Sequence, residues 1–93
     1  AEPIPLGTLA YFRSRYRHRL HSLVLREFRK SGLTQADLAR RLGKRTDVVC
    51  RLLAAPGNWQ LDTVSDLLFA LSAAEPGCTL DYPFDRNVGH QGN

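Results

Sequence analysis

The sequence predicts an all-α domain: a compact bundle of four to five helices, with room for one short C-terminal strand. Three observations predict it. Apolar residues recur at helical spacing in four separate stretches of the 93-residue chain. Glycine or proline closes each stretch, at Gly32, Gly43, Pro56-Gly57 and Pro76-Gly77. A chain this short forms one domain with one modest core and little room for a deep catalytic cavity.

The elements follow in order. Residues 1–7 hold two prolines and a glycine and read as an extended leader. From Thr8 onward, Leu9, Phe12, Tyr16, Leu20, Leu23, Val24 and Phe28 recur at steps of three and four. They predict one long helix with a common inner face. Arg13, Arg17, His21, Arg26, Arg29 and Lys30 fall mostly on its other sides. Ser31-Gly32 ends the run, because glycine accepts the left-handed cap conformation. Thr34 can cap a second helix, and Asp37 three residues later makes a weaker form of the capping box. Leu38, Ala39 and Leu42 give that helix its inner face, and Gly43 stops it. Thr46-Asp47 opens a third helix, with Val49, Leu52 and Leu53 inward. A fourth is expected from about Leu61 to Ser72, capped by Gln60 or Asp62, with Leu61, Val64, Leu67, Leu68 and Leu71 inward. Trp59 is placed to pack on the core. The domain therefore spans 8–75, followed by an extension over 76–93. Residues 78–84 fit a short edge strand, since Pro83 cannot donate to a ladder. Residues 86–93 read as a loose tail.

Composition narrows the function. Hydrophobic residues at 43% and charged residues at 24% are ordinary for a soluble globular domain. No apolar run approaches the roughly 18 residues of a membrane span. No secretory signal is evident, so the cytoplasm is the expected compartment, with Cys50 and Cys78 as free thiols. Charge is divided unevenly. Residues 1–51 carry twelve Lys/Arg against four acids (+8), and residues 52–93 carry one against five (−4). A basic front suits a polyanion partner.

The informative segment is LTQADLARRLGKRTDVVCRLL, residues 33–53. It encodes two short helices joined at Gly43. Small Ala39 permits close approach of the third helix, and Val49 and Leu52 are expected to anchor it from beneath. Thr46, Asp47, Val48 and Arg51 then face outward. Such a helix-turn-helix suits DNA, because the major groove is about 12 Å wide and admits one helix. Gln35 and the first amides of the second helix can hold a phosphate. Lys44 and Arg45, with Arg40 or Arg41, can neutralise further phosphates.

This segment resembles the phage-repressor and Cro-type helix-turn-helix domains (the XRE family). These show Q-x-x-L-A-x-x-x-G, then five residues, then an aliphatic. The matching residues are Gln35, Leu38, Ala39, Gly43 and Val49, and the resemblance extends over about residues 20–73. It implies a helical bundle that acts as a dimer on operator DNA, with Gln35 on the backbone and Thr46, Asp47, Val48 and Arg51 at base-facing positions. Two residues depart from the pattern. Lys44 stands where an aliphatic is usual, giving up a core contact unless its stem lies over the core. Asp47 suits the helix N-terminus, or alternatively could accept from a cytosine amino group. Arg51 can bond guanine through two hydrogen bonds, or else reach a phosphate.

Arg13, Arg15, Arg17 and Arg19 are spread around the first helix, so most are expected to be solvated charge. Enzyme readings find little support. His18 and His21 lack companions at metal-ligand spacing. Cys50 has no activating partner in sequence, and no phosphate-cradling glycine loop is present. The expectation is a sequence-specific double-stranded DNA binder and transcriptional regulator, a homodimer because one reading helix covers only half a site, with the long first helix and the segment 76–85 as candidate dimer surfaces and with no cofactor, metal or catalysis. The rival expectations are an antitoxin that binds a toxin protein and represses its own operon, and a protein-interaction module on the same fold.

Overall fold

The computed structural model describes residues 2–84, and these form four helices: α1 (Leu6–Ser31), α2 (Gln35–Leu42), α3 (Thr46–Ala54) and α4 (Leu61–Ser72). The fold is all-α. α1 lies against α4, α2 packs on both α3 and α4, and α3 touches α1.

α1 runs unbroken for 26 residues, about 39 Å at 1.5 Å per residue. It begins two residues before the expected start. The Pro5 carbonyl accepts from the Thr8 and Leu9 amides at 3.1 and 3.2 Å, which takes Leu6 and Gly7 out of the leader. Gly32 ends it with φ 71°, as its sequence position required. α2 opens with a full capping box. The Asp37 amide donates to Thr34 Oγ1, and the Thr34 amide donates to Asp37 Oδ2, both at 3.1 Å.

Nine buried residues form the core: Val24 from α1, Leu38 and Ala39 from α2, Val49 and Leu53 from α3, and Val64, Leu67, Leu68 and Leu71 from α4. Leu20, Leu23, Phe28, Leu42 and Trp59 close its edges. The α1–α4 joint is also polar. Ser72 Oγ donates to Glu27 Oε1 at 2.7 Å, and this bond holds the Glu27 carboxyl below its ordinary pKa.

The structure corrects five details of the sequence reading. Tyr16 belongs to the expected inner face but is 60% exposed. The partner helices are only 8–12 residues long, so the first half of α1 projects past them. Leu61 is 84% exposed, because the first residue of a helix points back beyond the bundle. On α3 the anchors are Val49 and Leu53, while Leu52 is only half-buried. His21 is not a surface residue: it is 8% exposed, and its Nε2–H donates to the Leu53 carbonyl at 2.9 Å. No strand forms over 78–84, which has no partner strand among the described residues. This segment folds back on α1 instead. Arg19 pairs with Asp81 at 2.8 Å, and Phe84 meets Phe12 edge-on at 5.5 Å. The expected tail over 86–93 lies outside the described residues.

Candidate nucleic-acid interface

The site is built by the turn between α2 and α3. Gly43 takes φ 66°, a left-handed conformation that a Cβ would strain. Its amide donates to the Arg40 carbonyl at 3.2 Å, and the Lys44 amide donates to the Ala39 carbonyl at 2.9 Å. Two of the last four carbonyls of α2 are thus satisfied within the turn. Arg45 is extended, and its carbonyl accepts from the Val48 and Val49 amides at 3.1 and 3.3 Å, starting α3 at once. Ala39 is buried where the two helices meet. Val49 and Leu53 then fix which side of α3 is left outside.

That outer side is a ridge. Asp47, Cys50, Arg51 and Ala54 follow one another at steps of three, one and three, and all four are exposed. Thr46 is exposed at its start. Val48, expected to face outward, is half-buried, because it lies on the flank turned toward the protein. Sequence reasoning missed Cys50. The same helical count that places Val49 and Leu53 inward leaves Cys50 on the outer side, next to Asp47 and Ala54.

The cations divide into two groups. Lys44, Arg45 and Arg51 are exposed around α3. Arg45 Nε donates to Asp47 Oδ1 at 3.0 Å, so Asp47 holds an arginine and makes no side-chain cap. Both side chains are largely solvated, so this exchangeable pair contributes little stability. Arg40 and Arg41 are committed within the protein. Arg40 pairs with Asp37. Arg41 Nη1 donates to the Ala70 carbonyl at 2.8 Å, near the end of α4. Gln35 is half-buried at the first position of α2. The Asp37 carboxylate stands at this helix end too. The Thr34 amide bond, reinforced by the Thr34 hydroxyl contact, holds its carboxyl below the ordinary range, so it is ionised at neutral pH. Of the first amides of α2, those of Thr34 and Asp37 act in the capping box.

His18 and His21 do not form a joint site. His18 Nδ1–H donates to the Ser14 carbonyl at 2.8 Å on the surface, and His21 is buried against Leu53. Cys50 and Cys78 are free, exposed thiols. Among the described residues no group of three or more His, Cys, Asp or Glu could hold a metal ion. Among them, too, no helix is long and apolar enough to cross a membrane. No protein-family model, curated protein or solved structure matches the chain.

Proposed function

We propose that the chain binds double-stranded DNA sequence-specifically and acts as a transcriptional regulator of the phage-repressor and Cro type. One observation carries this reading. The exposed ridge Asp47-Cys50-Arg51-Ala54 stands on a short helix locked from behind by Val49 and Leu53, directly after a left-handed glycine turn. A helix so mounted can enter a major groove about 12 Å wide without moving the bundle. Lys44 and Arg45 reach phosphates on the groove wall, and Arg51 reaches base edges. Thr46 and Cys50 add small side chains that permit close approach. Arg40 and Arg41 join in only by leaving Asp37 and Ala70, so Lys44 and Arg45 carry more of the backbone contact than the motif alone suggested.

The test is selection of bound duplexes from a random pool, followed by titration of the selected duplex against salt. If each half of a dimeric complex neutralises two or three phosphates, about five in all, log affinity against log salt has a slope of roughly −4 to −5. A slope near zero refutes the reading.

The two thiols give an independent check. Cys50 lies on the ridge and Cys78 lies beyond α4, and both are exposed. Saturating duplex is expected to slow alkylation of Cys50 by N-ethylmaleimide and to leave Cys78 reacting at its free rate. Mass spectrometry of the labelled peptides reads both in one sample. Equal labelling of Cys50 with and without DNA would place the ridge outside the groove.

A further inference from the structure

Two surfaces remain that the DNA reading does not use, and they match each other. The first is the projecting half of α1. Leu9, Arg13 and Arg17 are spaced four apart, in line with Leu20 at the edge of the core and Val24 within it, so these two arginines lie on the inner side of α1 and not on its other sides as the sequence suggests. In the projecting half Arg13 is exposed and Leu9 and Arg17 are half-buried, while Leu6 and Tyr16 beside them are 81% and 60% exposed. The adjacent side is already occupied by the 79–84 segment through Arg19–Asp81 and Phe12–Phe84. The second surface is the outer side of α4. Asp62, Asp66 and Phe69 follow at steps of four and three beside exposed Leu61. Phe69 and Asp66 border a shallow groove that Arg41 and Leu42 line from α2. Among the described residues, Arg13, Arg17, Asp62 and Asp66 make no ion pair.

We infer that these surfaces bind each other between two copies of the chain, with α1 of each copy lying antiparallel on α4 of the other. Spacing argues for the match. Arg13 and Arg17 are about 6 Å apart along α1, and Asp62 and Asp66 are about 6 Å apart along α4. In the antiparallel register Arg17 faces Asp62, Arg13 faces Asp66 and Leu9 meets Phe69. The parallel register would bring Phe69 against Leu20 and His21, which the chain's own bundle already covers. A contact that pairs one patch with a different patch closes into a dimer when it is made twice about a two-fold axis. Exposed ion pairs add little affinity. Here the charges set register and exclude wrong pairings, and the apolar residues Leu9, Tyr16, Leu61 and Phe69 supply the binding. Neither surface includes a residue of α3.

The experiment uses the 93-residue chain without DNA, so its outcome is separate from that of the DNA reading. Mass is measured by light scattering on a sizing column across a range of concentrations. The parent is expected at twice its 10.5 kDa chain mass. The variants R13E/R17E and D62R/D66R are each expected at monomer mass, with unchanged helical circular dichroism. An equimolar mixture of the two is expected to regain dimer mass, because both contacts of the mixed dimer then pair opposite charges. A parent that stays monomeric overturns the proposal and leaves these surfaces to an unrelated partner. Charge reversals that leave the dimer intact, or a mixture that stays monomeric, overturn it equally.

Discussion

Arg51→Ala is expected to weaken binding to a selected duplex by about 5- to 150-fold, the equivalent of roughly 1–3 kcal/mol for a lost two-bond guanine contact. Arg51 sits at the middle of the α3 ridge, exposed, with no ion pair among the described residues. Its guanidinium therefore breaks no internal contact on entering a groove, unlike that of Arg40 or Arg41. Base reading and phosphate contact predict different patterns. Loss of a base contact lowers affinity for the selected duplex, relaxes preference at one position and spares non-specific binding. Loss of a phosphate contact lowers affinity on all sequences and makes the salt slope shallower by about one. Arg45→Ala is the comparison for the second pattern, softened because Asp47 already screens Arg45 at 3.0 Å. Fluorescence anisotropy at one fixed salt concentration, on selected and scrambled duplexes, reads both variants. An Arg51→Ala chain that binds the selected duplex as tightly as its parent removes Arg51 from base reading.

The α2–α3 unit is legible in the sequence because each of its devices is local. The Thr34–Asp37 capping box, the left-handed glycines at 32 and 43 and the small Ala39 are decided within a few residues of chain. They are visible in sequence because backbone conformation requires those residue types there. The failures share a different cause. Tyr16 and Leu61 obey the apolar period, yet period specifies only a direction around a helix and not whether another helix stands opposite. Their exposure follows from the length difference between α1 and its neighbours. His21 was read by its polarity, although it lies three residues before Val24 and seven before Phe28 and so shares their face. Its burial is tolerable because the Leu53 carbonyl, at the C-terminal end of α3, accepts the hydrogen bond from its ring N–H. That carbonyl is one of the four that α3 cannot satisfy internally, so a donor from α1 meets a need of both helices. Trp59, with its ring centroid 6.0 Å from that of His21, closes the same corner.

Leu38→Ala and Leu61→Ala remove the same atoms and are expected to differ sharply. Leu38 has no exposure and lies where α2 meets α3 and α4, so its truncation leaves a cavity as well as losing transfer energy. The expected cost is about 2–5 kcal/mol. A domain of this size has a total stability of about 5–14 kcal/mol, so the loss is a large part of it. With a urea dependence of about 1–3 kcal/mol per molar, the unfolding midpoint falls by at least about 0.7 M. Leu61→Ala is expected to stay within about 0.5 kcal/mol of the parent, since the side chain leaves water neither before nor after the change. Fluorescence of Trp59, the only tryptophan, reports the transition. R13E/R17E serves as the common background, which keeps association out of the measurement. Equal losses at the two positions would mean that α4 starts with Leu61 packed and that the outer side of α4 is wrongly assigned. That result would also remove the acidic and apolar surface on which the dimer contact depends, while leaving the α3 ridge untouched. The unequal result locates stability in the packing behind the ridge: Val49 and Leu53 can hold α3 rigid in a groove only while Leu38 fills the space beneath them.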